Sequence, residues 1–329
     1  MTFNHAPYIL DAMNGFCMQQ STFPYVAIII DDASTDGTPE VINRYLQDHF
    51  NMEDKGIVRI EETDDYVMTF ARHNSNQSCY FAVFLLKYNH YSKNRAKWPY
   101  YMEFAKVPLY IATCEGDDYW TNPNKLQMQV NFLDAHPDYS MCFHDVDIKA
   151  EKGRKWYDVF GKLEDRDYTG LENLIKWSIP TCSMVLRKET IIHMPLNEKF
   201  RMGDNVLILQ CSRHGKIRCI PRKMGVYRLT PTSWIGGQSD KVQRYKYISH
   251  YEGLIEEFEE CRNPQLYAIL ENQFFQLLSI LKREGNHEEF ENVKQDYLAS
   301  PGEHHFEKFS SYYRKMALRR FVKKLLFRK

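Results

Sequence analysis

The stretch Pro24-Tyr-Val-Ala-Ile-Ile-Ile-Asp-Asp-Ala-Ser-Thr-Asp-Gly-Thr38 decides the fold. Its first seven residues are β-rich with apolar side chains on both faces, the pattern of a strand buried inside a parallel sheet. The polar cluster Asp31 to Thr38 ends that run and leads into the amphipathic stretch Pro39 to Phe50. Thr38 suits a helix N-cap with Pro39 at the first helical position, and Val41, Ile42, Tyr45 and Leu46 make the stripe such a helix would bury. Upstream, Ile9 to Gln20 also has helical spacing. Helix, buried strand and helix in succession predict an α/β protein built on a parallel sheet.

A second apolar run, Leu109 to Cys114, ends in Glu115-Gly-Asp-Asp-Tyr-Trp120, so carboxylates again stand just past the end of a strand. Open α/β sheets bind ligands at that edge. After Asn122-Pro123 the residues Leu126, Val130 and Leu133 predict a helix, and Tyr139 to Val146 a strand. Ser183 to Leu186 and Ile217 to Ile220 read as strands around a helical stretch Asp204 to His214. From about residue 240 the pattern is helical, which places a boundary near residue 238: residues 1–238 form the α/β domain and 239–329 a helical extension.

Composition narrows the function classes. The 329 residues carry 43 Lys+Arg against 43 Asp+Glu, which argues against wholesale nucleic-acid binding. No run of eighteen apolar residues and no basic-then-apolar leader is visible, and eight scattered cysteines form no zinc or CxxC spacing. Reduced thiols and a cytoplasmic location are expected. No GxGxxG or GxxxxGK[ST] occurs, so dinucleotide oxidoreductases and P-loop kinases lack support.

The acids carry the chemistry. Asp31, Asp32, Ser34 and Asp36 on a loop that turns at Gly37 can bind a polar ligand or satisfy loop and cap amides. Glu115, Asp117 and Asp118 place three acids in four residues. Such charges repel unless protonated, solvated or neutralised, and their oxygens suit Mg²⁺ or Mn²⁺ carried with a nucleotide phosphate; a solvated acidic turn is the alternative.

These segments, with Thr2-Phe-Asn-His5 and Lys125-Leu-Gln127, resemble the family 2 glycosyltransferases of GT-A fold, particularly bacterial members that build surface polysaccharides. The resemblance spans about residues 1 to 235. It implies an inverting, hexosyltransferase-like enzyme that moves a sugar from a nucleotide-sugar, most simply a UDP-sugar, to a hydroxyl of a glycan or lipid-linked acceptor. Carried over, Thr2 and Phe3 contact base and ribose, Asp31 or Asp32 accepts from the uracil N3–H, and Ser34 belongs to the same nucleoside loop. Asp117 and Asp118, with Glu115 where Asp is commoner, would hold the metal. Trp120 shapes the pocket floor or anchors the core, and Thr181 lies under the acceptor. Asp204 stands at the catalytic-base position at a helix start, where it could equally cap that helix. Arg228 is a candidate for the phosphates or for a structural ion pair, and Thr230 replaces the histidine expected two residues later.

Family members begin with an apolar strand before the Thr-x-Asn segment, whereas Met1 directly precedes Thr2, so the first strand is expected to be missing. A misplaced start is the preferred account, and a catalytically degenerate GT-A fold serving as a binding or scaffold module is the rival function. Finally, residues 312–329 carry eight Lys/Arg and no acid. Leu318, Phe321, Val322, Leu325 and Leu326 recur at helical spacing beneath them, which predicts an interfacial helix able to meet an anionic membrane, or one docked on its own domain.

Overall fold

A computed structural model describes residues 1–93, 95–151, 160–230 and 239–326, the side chains of 98, 105 and 321–326 excepted. The decisive stretch forms β1 (Tyr25–Asp31), which pairs in parallel with β4 (Cys79–Leu86) from Tyr25↔Cys79 to Asp31↔Leu85. β2 (Arg59–Glu62) and β3 (Tyr66–Arg72) extend that sheet antiparallel, giving the order β1-β4-β3-β2. On one face lie Ile29, Phe81 and Val83, covered by Ile9, Ala12 and Met13 of the helix Ile9–Cys17 and by Ile42 and Leu46 of the helix Thr38–His49. Ile30, Ala82 and Phe84 face the other way, with Met68. The alternation along β4 is the period-2 geometry of a strand buried on both sides. Each fully buried aliphatic or aromatic side chain there contributes about 1.5–3 kcal/mol.

A second sheet contains β5 (Tyr110–Ala112), β6 (Tyr119–Trp120), β7 (Tyr139–Ala150), β8 (Asp167–Tyr168), β9 (Val185–Arg187) and β10 (Lys216–Leu229). Its order is β5-β9-β7-β10-β6, with β8 on β10. The sheets are thus mixed, not parallel throughout: β1–β4 and β7–β10 are parallel, and the remaining pairs antiparallel. β2 to β4 were not expected from the sequence. The short connection between β3 and β4 reverses the chain directly, which only an antiparallel pair permits.

The helix start after β1 also differs from expectation. Gly37 takes φ +92°, the helix begins at Thr38, and the Asp36 carboxylate accepts the Thr38 N–H at 3.0 Å. Thr38 Oγ1 instead accepts the His5 N–H at 2.9 Å. The acid caps the turn, and the threonine ties it to the N-terminal segment.

Two compact units divide the chain: Met1–His193 with Gln210–Gly236, and Met194–Leu209 with Gly237–Lys329. Residues 194–209 therefore leave the domain 1–238 expected from the sequence. The reason lies within the second unit, where Lys199 pairs with Glu252 and Glu256 and the Arg201 N–H donates to His250 Nδ1 at 3.2 Å. That unit is helical: Asp240–Glu257, Pro264–Glu284, His287–Ala299 and Phe309–Leu326. Ser239, Asn263 and Asn286 cap the first three through their side-chain oxygens. Leu254, Phe258, Leu266, Phe274, Leu278 and Tyr297 are among its buried core. Phe309 is buried against Phe275, whereas Arg314, Lys315, Leu318 and Arg319 are exposed. No helix of the described residues is long and apolar enough to cross a membrane. All eight cysteines are free.

Candidate functional site

Thr2 organises the first unit's site through its backbone. Its N–H donates to Ile30 O at 2.9 Å, and its carbonyl accepts the Asp32 N–H at 3.0 Å, a parallel bridge at the carboxyl end of β1. On the other side, Met1 O accepts the Gly116 N–H at 2.9 Å. The loop after β1 and the acidic loop before β6 are thereby held on either side of one residue. A Cβ on Gly116 would stand 2.7 Å from Thr2 Cβ and 3.0 Å from His5 Nδ1, so glycine is required for this approach.

The loop Asp31 to Thr38 is fastened to residues 4–6. Asn4 Oδ1 accepts the Thr35 N–H, Ser34 Oγ accepts the Asn4 N–H, and Asp36 accepts the Ala6 N–H, at 2.8–3.0 Å. Both Asn4 (φ 56°) and Ala33 (φ 58°) sit in the left-handed region to make these turns. Phe3 is exposed at the rim, while Thr2 is buried and its Oγ1 has no hydrogen-bond partner.

Asp31 and Asp32 are both buried and point to different neighbours. Asp31 accepts the Ser34 N–H at 2.9 Å and hydroxyl at 2.6 Å; burial pushes its carboxyl up, and those two bonds oppose the shift. Asp32 accepts the His90 N–H at 2.7 Å, the Tyr91 N–H at 3.2 Å and Lys97 Nζ at 2.6 Å. His90 is itself buried, with Nε2 2.8 Å from the Tyr100 hydroxyl. Asp32 thus clasps a second loop against the end of β1. His90 and Lys97 were not singled out in the sequence, and Asn4 stood in a quoted motif without a role of its own; the adjacency of two acids was the signal that one of them must face away.

The acidic loop separates its carboxylates in the same way. Asp118 is buried, and its Oδ1 accepts the Arg228 N–H at 2.7 Å. Burial, then Glu115, then Asp117 push the Asp118 carboxyl well above the ordinary range. Asp117 keeps 14% of its side chain exposed, with Oδ2 4.0 Å from His5 Nε2. Glu115 is half-buried and bears electrostatically on Asp118, Cys182 and Tyr227. The Arg228 guanidinium is buried, donates to Asp117 O at 3.0 Å and to Asp11, and lies 4.4 Å over the Tyr119 ring. These contacts brace the acidic loop; they are those of the structural ion pair weighed for Arg228.

Among the described residues no three His, Cys, Asp or Glu side chains gather into a metal cage. The arrangement instead fits a divalent cation carried on a diphosphate, which needs one or two carboxylates and retains waters. Asp117 is the partly exposed neighbour of the buried Asp118, and beside it, where the bare Cα of Gly116 lets them approach closely, His5 Nδ1 and Thr2 Oγ1 are buried without hydrogen-bond partners. Trp120 is a core anchor, buried with its indole N–H donating to Cys182 O at 2.7 Å. Thr181 is half-buried in the turn Thr181–Ser183, its carbonyl accepting the Thr113 hydroxyl.

Asp204 lies in the second unit, half-buried in the first turn of the helix Gly203–His214. Burial raises its carboxyl pKa, against the pull of the Asn205 N–H and its own N–H. It therefore has both a capping contact and a raised affinity for a proton.

Comparison with known proteins bears on this segment. The family model for glycosyl transferase family 2 matches residues 1–66, which include Thr2, Phe3 and the whole Asp31–Thr38 loop. Uncharacterized proteins of Mycobacterium tuberculosis and Mycobacterium bovis are 32% identical over 229 residues, 69% of this chain. The chain spans 57% of the length of those relatives. Among solved structures, TarS of S. aureus in complex with UDP-GlcNAc aligns over 91% of this chain and 90% of its own at 15% identity, with a TM-score of 0.49. A mannosyltransferase from Pyrobaculum calidifontis with GDP-Man and Mn²⁺ aligns over 86% and 73% at 13% identity, with a TM-score of 0.47. The N-terminal segment that carries the nucleoside-loop motif is thus the part of the chain that matches glycosyl transferase family 2, in keeping with the resemblance of its motifs.

Proposed function

We propose that the chain transfers a sugar, with inversion, from a UDP-sugar to a hydroxyl of a glycan or lipid-linked acceptor. One observation supports this reading above the others: Thr2 is hydrogen-bonded at once to the end of β1 and, through Met1, to the acidic loop, so a nucleoside end and a diphosphate end adjoin. In this reading Phe3, Thr2 and Ser34 line the nucleoside pocket, while Asp31 and Asp32 hold its loops. Asp117 holds Mn²⁺ or Mg²⁺, with Asp118 and Glu115 behind it and Arg228 fixing the loop. When bound, the cation would stabilise the negative charge developing on the leaving diphosphate.

Asp204 is the base that takes the acceptor hydroxyl's proton, a task helped by its raised pKa. Thr181 lies beneath the acceptor, in the turn that Trp120 anchors through Cys182. The helix Phe309–Leu326 brings the protein to an anionic membrane face on the cytoplasmic side. Leu318, a member of its apolar stripe, is 64% exposed, which favours an interfacial helix over one docked on its own domain. The rest of that stripe, Phe321 to Leu326, lies outside the described side chains.

The test is release of UDP from UDP-sugars by the purified chain, with Mn²⁺ and with EDTA. Metal-dependent release lost in Asp117→Asn supports the reading. Tight UDP binding with neither hydrolysis nor transfer across donors and acceptors would favour the degenerate binding module.

A further inference from the structure

Beneath the acidic loop lies a charge that the proposed chemistry leaves unused. Lys125 opens the helix Lys125–Ala135, is fully buried, and its Nζ has no hydrogen-bond partner. A buried ammonium without acceptors is costly, and methionine would fill the same space without that penalty. Its compensating contact is the face of Trp120, with Nζ 4.1 Å from the ring centroid. Such contacts strengthen when desolvated. Its titratable neighbours are the thiols of Cys114, Cys142 and Cys182, with His144 also facing it. Burial pushes Lys125 down to about 8 and His144 well below its ordinary value, so the lysine supplies the positive charge of this cluster at neutral pH.

Trp120 is a junction. It follows Asp118 by two residues, pairs with Gly225 of β10, and donates its indole N–H to Cys182, the neighbour of Thr181. Phe16 of the helix that follows His5 packs edge-on against it at 4.9 Å. A force on this one ring reaches the acidic loop, the Thr181–Ser183 turn and the N-terminal helix together.

We infer that Lys125 is a positioning residue, its buried ammonium seated on Trp120 so that the acidic loop and the Thr181–Ser183 turn keep one fixed arrangement. The inference rests on the nucleotide-sugar reading for its consequence, though not for its geometry. It accounts for a charge where an uncharged side chain would give a more stable core.

The experiment compares Lys125→Met, Trp120→Phe and the double variant with the parent chain. Thermal melting, calorimetric titration with UDP and Mn²⁺, and ¹⁹F NMR of 5-fluorotryptophan-labelled protein are measured. Lys125→Met is expected to melt at the parent temperature or above it, yet to bind UDP at least tenfold more weakly and to broaden or split the Trp120 resonance. The double variant should bind no more weakly than Trp120→Phe, because both changes act through one ring. Lower melting with affinity within twofold of the parent and a single sharp Trp120 line would make Lys125 a packing residue and overturn the inference; so would additive losses. If the parent binds no UDP with Mn²⁺, the nucleotide reading fails, and the ¹⁹F line alone decides Lys125: broadening supports it, an unchanged line overturns it. Should Lys125→Met not fold, the same readings are taken on Lys125→Gln.

Discussion

Asp117→Asn and Asp118→Asn change adjacent residues identically and are expected to act in opposite directions. Asp117 retains some solvent access, and in the proposed function the charge it loses is the one offered to a cation. Two unit charges about 4 Å apart interact by about 1 kcal/mol in water and about 4 kcal/mol near a protein surface; a divalent ion doubles both. The lower bound, about 2 kcal/mol, is roughly a thirtyfold loss of metal-dependent UDP affinity. Asp118 is buried, and the amide oxygen of asparagine can still accept the Arg228 N–H. Its folded-state pKa is raised, so its stabilising contribution is complete below the unfolded value of 3.8 and is lost as pH rises toward the folded value. Asp118→Asn should therefore melt above the parent at pH 7, match it near pH 4, and keep UDP affinity within about threefold. Scanning fluorimetry across pH and calorimetric titration with Mn²⁺ or EDTA measure both effects. Equal losses of affinity in the two variants, or a fall in melting temperature for Asp118→Asn at pH 7, would refute the division of roles.

Asp204→Asn should leave UDP affinity intact and lower transfer by at least about a hundredfold, with loss of an acidic kcat/KM limb lying above the usual carboxylate range; parallel losses of binding and rate would identify a helix cap. Ala33→Gly relieves a left-handed alanine worth about 1 kcal/mol and should raise the melting temperature by about 2–4 °C, while a decrease would mean that Ala33 is unstrained. A chain ending at Ser311 should lose salt-sensitive co-sedimentation with anionic vesicles; equal sedimentation of the two chains ends the membrane proposal.

Much of the fold was legible because burial leaves a period. Ile28 to Ile30 and the helix Thr38–His49 read directly as strand and helix, and the C-terminal helices announce themselves through Leu266 to Leu281. Strand direction was not legible. Cys79–Leu86 is apolar on both faces whether its partner runs parallel or antiparallel, and here it has one of each. Nor could periodicity assign residues 194–209, whose attachment depends on Lys199, Arg201 and their partners fifty residues downstream.

The acids at the strand ends were legible as a group but not as individuals, and the reason is geometric. The donors that claim each buried carboxylate lie on different elements, so the two acids of a pair turn to different neighbours. The structure resolves each pair accordingly. Asp31 turns to Ser34 and Asp32 to His90 and Lys97; Asp118 turns to the Arg228 N–H and Asp117 outward toward His5. Which member turns inward depends on donors far along the chain, for Asp118 a strand 110 residues away. In the proposed reading the acidic loop gives Asp117 to the cation and Asp118 to the fixing of the loop that presents it, whereas Asp31 and Asp32 both fix loops. Substituting both together merges two separable effects, whereas single substitutions assign them.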